Sequence, residues 1–285
     1  MIDFPNSPTV GQQFVAPNGT FVWDGTKWAP VLKTAGGGAA VAIQGGFKNL
    51  QISVPSVSTV TVTADQVITY DGTVFYDIAN VNSTINAATV GANGLDAGAI
   101  AAASWYAVWV ISGTGGQAAL LSLSATAPTM PAGYTAKARV GWVRTAPSTT
   151  NILKTLQYGR KAQYVTTGSA PNVTLPLITN AVSGTFNDTT YTPVAVAIGA
   201  FVPPTAGVIR LQFCSAGGFY AAVSPNPNYS GFTTANPPPI ASRGGSSYTQ
   251  VVSPADFVLE STNIYWAGGS ATYDNLYCFG WEDNL

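Results

Sequence analysis

The sequence predicts an all-β protein, a small N-terminal β-meander followed by two β-sandwich domains of jelly-roll-like type, and three observations carry that prediction. Apolar residues alternate with period two, as in Val57-Ser-Thr-Val-Thr-Val-Thr63, the pattern of a half-buried strand. No stretch sustains the 3.6-residue apolar period of an amphipathic helix, and heptads for a coiled-coil stalk are absent. Turn dipeptides, among them Asn18-Gly19, Asp24-Gly25 and Asp71-Gly72, separate the alternating runs.

Residues 1–33 hold the meander. Asn18-Gly19 and Asp24-Gly25 bracket Phe21-Val22-Trp23, and both read as two-residue type I′ turns. Three short strands cannot stand alone in water, so Phe14, Phe21, Trp23 and Trp28 are expected to attach and pack on something outside the meander. Residues 34–46 are almost entirely Gly, Ala and small aliphatic residues, which marks a linker. The three-glycine run is no phosphate loop, because no Lys-Ser or Lys-Thr follows it and no helix opens there.

The first sandwich is expected over 47–164. Strands at 66–70 and 73–78 flank Asp71-Gly72 as a hairpin, and Leu95-Asp96-Ala97-Gly98 suggests a short helical turn leading into Trp105. In Trp105-Tyr-Ala-Val-Trp-Val-Ile111, alternation puts Trp105, Ala107, Trp109 and Ile111 on one face and Tyr106, Val108 and Val110 on the other. Both faces are apolar, so this strand must be covered on both sides. A Gly113–Gly116 loop turns it back, and Pro128 and Pro131 confine the next piece to an edge or loop. Val140 and Trp142 are expected on one face of a half-exposed strand, opposite Lys137 and Arg139.

The second sandwich is expected over 165–285. Residues 194–198 form a small apolar strand, and 208–213 put Ile209, Leu211 and Phe213 inward with Arg210 and Gln212 outward. The final strand, 271–281, carries Trp281 so near Leu285 that the last residues are expected to be pinned in the sheet.

The charged fraction is 8%, against about 25% in ordinary soluble domains, while hydrophobic residues reach 46% and aromatics 11%. Such a composition excludes disorder, and no apolar run approaches the roughly 20 residues of a membrane helix, so no membrane insertion is expected. A surface this poor in charge invites association, which marks the chain as a subunit. The net charge of −1 offers no field for nucleic acid. Six basic residues between Lys137 and Lys161 read as an anion-facing patch or as solvated strand edges. Cys214 and Cys278 sit in apolar strands as free thiols, Met1-Ile-Asp-Phe-Pro5 is no secretion signal, and synthesis in a reducing bacterial cytoplasm is expected.

There is no histidine, which excludes Ser-His-Asp and Cys-His nucleophilic mechanisms and nearly all zinc sites apart from all-cysteine ones, which two cysteines cannot build; no cofactor and no metal are expected. Glycoside hydrolysis stays formally open because it requires only two facing carboxylates, with Glu260, Glu282, Asp256, Asp274 and Asp283 as candidates. Each of these reads better as a turn or strand-end residue, so no catalytic residue is expected. Recognition is the stronger reading. Ser224–Gln250 combines Tyr229, Phe232, Arg243 and Tyr248 with Pro, Asn, Ser and Gly, the composition of binding loops, and would either hold a receptor or pack on a neighbouring subunit.

Two segments carry a resemblance. Trp105-Tyr106 with its aliphatic strand, Ala119–Ser124, Ala127-Pro-Thr-Met-Pro-Ala-Gly-Tyr-Thr135 and Lys137-Ala-Arg-Val-Gly-Trp-Val-Arg144 resemble a segment of tail-fibre and related virion proteins of tailed bacteriophages. The N-terminal Trp23-Asp-Gly-Thr-Lys-Trp28 module is similar to one that recurs in phage structural proteins. The resemblance implies a virion subunit, commonly a homotrimer, that contacts other virion proteins through its N-terminal module and a host-surface glycan or protein elsewhere. Its expected place is the tail, as a receptor-binding fibre. A capsid fibre or head decoration protein is the alternative, and a polysaccharide-degrading tailspike is the alternative of another class.

Overall fold

The structure is a computed structural model that describes residues 4–16, 19–31, 46–243 and 251–285. Its strands are, in the N-terminal part, β1 (Gln13–Ala16), β2 (Gly19–Trp23) and β3 (Trp28–Val31). Next come β4 (Phe47–Lys48), β5 (Gln51–Ser56), β6 (Thr59–Tyr70), β7 (Phe75–Asn86), β8 (Gly94–Leu95), β9 (Trp105–Gly113), β10 (Gly116–Ser122), β11 (Ala136–Arg144), β12 (Thr155–Tyr158) and β13 (Lys161–Tyr164). The rest are β14 (Leu177–Thr179), β15 (Thr185–Phe186), β16 (Tyr191–Thr192), β17 (Val194–Ala197), β18 (Ala206–Ser215), β19 (Ala221–Ser224), β20 (Ile240–Ser242), β21 (Val251–Val258), β22 (Asn263–Gly268) and β23 (Asn275–Asp283). The described residues contain no helix, so the all-β class holds.

One large sheet runs in the order β21-β18-β23-β13-β12-β5-β6-β11-β9-β10-β8, and a four-stranded sheet in the order β17-β22-β19-β20. The large sheet therefore passes without a break from strands before residue 164 to strands after it, through the pairing of Ala162 with Trp281. The core does the same. Ala107, Trp109, Ile111 and Trp142 share a buried cluster with Ile209, Leu211, Phe213, Trp266 and Trp281. Each such side chain contributes about 1.5–3 kcal/mol on burial, which makes this shared cluster the main tie between the two halves.

The other face of β9 supplies a second core, in which Tyr106, Val108 and Val110 meet Ile52, Val60, Val62 and Ile85. The two-faced reading of β9 is therefore correct residue by residue. So is the inward set Ile209, Leu211 and Phe213 on β18, with Arg210 and Gln212 half-buried outside it. Leu285 is buried in the second core, and the Arg160 Nη2 donates to its carbonyl oxygen at 3.1 Å.

Several local expectations are corrected. On β11 the register slips between Arg139 and Gly141, so Val140 goes into the core shared with Val108 while Trp142 goes into the opposite one. The extra residue of a β-bulge reverses the alternation beyond it, which sequence period alone cannot register. Around Leu95 there is no helical turn; Gly94–Leu95 pairs parallel with Leu120 and Leu121 of β10. The Asp24 turn is not type I′. The Asp24 amide donates to the Lys27 carbonyl, and positive φ occurs at Gly25 (104°) but not at Thr26, whereas type I′ demands it at both central residues. Asn18 lies outside the described residues, and Gly19 is already a strand residue opposite Ala16. The basic stretch is no single patch either, because Arg144 is buried and Arg139 is ion-paired to Asp283.

Candidate functional site

The loop after β19 is organised by the β15–β16 hairpin. Asn187 closes that hairpin, its Oδ1 accepting from the amides of Thr189 and Thr190 at 2.9 and 2.8 Å. The exposed carbonyls of the turn then take the loop: Phe232 N–H donates to Asn187 O at 2.9 Å and Thr233 N–H to Asp188 O at 2.8 Å. Gly231 is required at the contact, since a Cβ there would run into the Thr189–Thr190 backbone.

This docking gathers rings. Phe186 lies edge-on to Tyr191, Tyr220 and Phe232, with centroids 5.7, 6.0 and 6.3 Å apart, and Tyr229 packs on the same cluster. Beside it the Arg243 guanidinium meets Asp188 at 2.9 Å, and the Tyr220 hydroxyl donates to the same carboxylate at 3.1 Å. The Arg243 hydrogen bond holds the Asp188 carboxyl below its ordinary value, with burial opposing and Tyr220 assisting. Phe232 is 36% exposed, so one ring of the cluster stays open to solvent. Burial pushes the Tyr191 hydroxyl up, and it serves the interior, meeting the Ser224 hydroxyl and donating to Tyr265 O at 2.8 Å each.

Of the four residues expected here, Tyr229, Phe232 and Arg243 come together, while Tyr248 lies outside the described residues. Sequence reasoning missed Phe186, Asp188 and Tyr220. The only signal was the Asn187-Asp188 turn pair, which says nothing about a loop 40 or so residues later. A ring face beside a neutralised Arg–Asp pair offers stacking together with donors and acceptors for hydroxyls. A polyol surface such as a sugar fits it better than a free anion.

The N-terminal aromatics settle differently from expectation. Phe14, Phe21 and Trp28 pack around Phe4, which stacks on Trp28 with centroids 5.4 Å apart and planes 11° from parallel, and Trp23 lies 5.7 Å from Trp28. The meander thus builds a small aromatic core of its own. All five rings remain half-buried, leaving area for a further partner.

Four of the five carboxylates considered for hydrolysis are engaged by neighbouring donors. Both Glu260 oxygens accept from Asn226 Nδ2 at 3.1 and 2.9 Å, and Asp256 faces Arg210 at 3.6 Å. Asp274 is fully buried, accepting from Ser215 Oγ, Gly269 N–H and Ser270 N–H at 2.6, 2.9 and 2.8 Å. Asp283 is held by Arg139 at 2.6 Å. Glu282 stands on β23, opposite Lys161 of β13 and Val208 of β18.

Two clefts lie on either side of the segment 173–175. One, of about 670 Å³, is lined by Tyr164, Gln212, Cys214, Tyr277 and Phe279. The other, of about 410 Å³, is lined by Arg144, Pro147, Leu153, Asn172, Leu175 and Phe201 among others. Both cysteines are free, and burial pushes the Cys278 thiol up to about 12, so it is inert. Comparison with protein-family models, with curated proteins and with solved structures finds no match to this chain.

Proposed function

We propose that the protein is a virion structural protein of a tailed bacteriophage, a non-enzymatic tail-fibre or receptor-binding subunit that contacts a host-surface glycan or protein. The observation that carries this reading is the solvent-open Phe232 ring, backed by Phe186, Tyr220 and Tyr229 and set beside the Arg243–Asp188 pair. The setting comes from the resemblance of residues 23–28 and 105–144 to phage fibre proteins. The half-buried aromatic core of the meander supports attachment to other virion proteins through that module. Low charge supports self-association, for which the resemblance implies a homotrimer.

The test has two arms. Mass measurement of the isolated protein in solution is expected to give three chains per particle; a monodisperse monomer at micromolar concentration would sink the assembly. Gold-labelled antibody on intact virions is expected to mark the tail. Label on the head would instead identify a capsid fibre or decoration protein. Host polysaccharide that is shortened on incubation would move the protein into the tailspike class.

A further inference from the structure

Arg144 is the one cationic side chain among the described residues that is buried without an ion-pair partner. It is 7% exposed, and no carboxylate stands against it in any of the ion pairs. Its Nε–H is buried with no acceptor. Its guanidinium sits 5.8 Å from the centroid of the Trp105 ring and in the field of the buried Tyr164 hydroxyl, which burial keeps neutral. Arginine stays charged at every accessible pH, so the site cannot relieve the burial by losing a proton. Burying such a charge without a counter-charge costs several kcal/mol unless an anion completes the site.

The surroundings say what would complete it. Arg144 lines the cleft of about 410 Å³, whose other walls include Pro147, Leu153, Leu175, Pro176 and Phe201. Asn172, in the same wall, is turned toward the backbone: its Oδ1 accepts from Lys154 N–H at 2.6 Å and its Nδ2 donates to Lys154 O at 3.1 Å. The cleft therefore presents a single planar cation among mostly apolar walls, with Thr174 the other side chain there that can hydrogen-bond a ligand's hydroxyl beside Asn172. That matches a compact monoanion on an apolar body, and a carboxylate meets the guanidinium fork better than a spherical anion does.

We propose that the Arg144 cleft is a carboxylate-binding subsite, which takes the acid group of a uronic-acid-type sugar. The sugar assignment rests on the glycan-binding reading above; the carboxylate assignment rests on Arg144 and its walls alone. Arg144 grips the acid group, Trp105 backs the guanidinium, and the apolar walls exclude water that would weaken the pair. The ring cluster at Phe232 then serves neutral hydroxyls while this cleft serves the acid.

The test is titration of the intact protein with glucuronate, with glucose and acetate as comparison probes, read by tryptophan fluorescence and by indole N–H resonances. At the Trp105 indole, which lies against Arg144, saturable binding of glucuronate and weaker binding of acetate are expected, with no response to glucose. Arg144→Met should lower the glucuronate affinity at least tenfold, and Arg144→Lys should retain part of it. Without ligand, Arg144→Met should be as stable as the parent or more so, because it removes an uncompensated buried charge. Equal affinity of parent and Arg144→Met for glucuronate would overturn the proposal, as would glucose moving the Trp105 indole resonance as far as glucuronate does. A marked loss of stability in ligand-free Arg144→Met would also count against it, since Arg144 would then be a structural residue. Glucuronate binding by a protein whose antibody labels the head would leave this subsite standing while removing the tail-fibre reading.

Discussion

Removing the Asp283 carboxylate tests whether the two halves of the chain fold as one unit. Arg139, on β11, reaches Asp283, on β23, at 2.6 Å, with side chains 13% and 0% exposed. The same guanidinium donates to Thr205 Oγ1 at 3.0 Å and to Asn284 O at 3.1 Å, and it lies 5.5 Å from the Trp142 ring, whose Nε1–H also donates to Thr205 at 2.9 Å. Asp283→Ala leaves Arg139 buried and unpaired, and a change of that kind costs about 3–5 kcal/mol. At about 2–4 °C per kcal/mol for a chain of this size, the melting temperature should fall by on the order of 10 °C. The assay is urea unfolding followed by tryptophan fluorescence, together with amide hydrogen exchange. Exchange should accelerate on β9 and β11 as well as on β18 and β23, because one core joins them. Arg139→Met combined with Asp283→Leu should recover much of the loss, since an apolar pair removes both desolvation penalties. A loss below about 1 kcal/mol, or faster exchange confined to residues after 164, would refute the reasoning.

Gly141→Ala should destabilise by about 1–3 kcal/mol, because the new Cβ collides with Gln157 Oε1 and comes within 2.7 Å of Ile52 Cδ1; the urea midpoint reads it. Gly231→Ala should lift the loop off the β15–β16 hairpin, while the far-ultraviolet dichroism of the main sheets stays unchanged; on the receptor-binding proposal it should also weaken adsorption to host cells. Adsorption at parental level would remove the ring cluster from the binding surface. The Asp71 carboxyl is held below its ordinary value of 3.8 by the Val74 amide first and the Tyr76 hydroxyl next. Its folded value is thus below its unfolded one, so its contribution is complete above pH 3.8 and drains away as pH falls through the depressed value. The Val74 amide resonance should titrate with a midpoint below 3.8, and a midpoint above it would contradict the turn geometry. Trp28→Ala should unfold the meander, seen as lost dispersion of residues 4–31, with the β9 amides unmoved.

Period-two alternation was enough to place β9 and β18 and to assign both faces of β9, because alternation and burial are the same fact in an extended chain; it split β6 into 57–63 and 66–70, where one strand runs Thr59–Tyr70 and Val57 lies in the turn before it. It failed on β11, where one extra residue at Val140 shifts the phase, and at Gly94–Leu95, where two residues join a sheet through a parallel pairing that has no local signature. The composition of 224–250 pointed to a surface loop with rings, and Tyr229 and Phe232 are where that predicts. What the loop leans on was illegible. Asp188 and Phe186 are remote in sequence, and their role depends on backbone carbonyls of a turn rather than on any residue type. The resemblance over residues 105–144 falls on β9, β10 and β11, the strands common to both cores, so it bears on the scaffold more than on the surface that would meet a host.

The few charges of this chain divide according to how they are buried. Asp274 and Asp283 are at 0% and 2% exposure, yet each is surrounded by donors: Ser215 and two amides for the first, Arg139 and Thr205 for the second. Such networks fix strands to one another, and full satisfaction is what a structural role requires. Arg144 departs from that pattern. It lies on the same strand as Arg139, its carbonyl is used by the Leu153 amide, and its side chain ends against an aromatic ring and a cleft instead of a carboxylate. Burial lowers the pKa of its guanidinium without bringing the group near neutrality at any physiological pH, so the folded state carries the cost continuously. A sequence with only 11 basic residues that places one of them in this way departs from the economy it shows at Asp274 and Asp283. An arriving carboxylate would convert that standing cost into affinity.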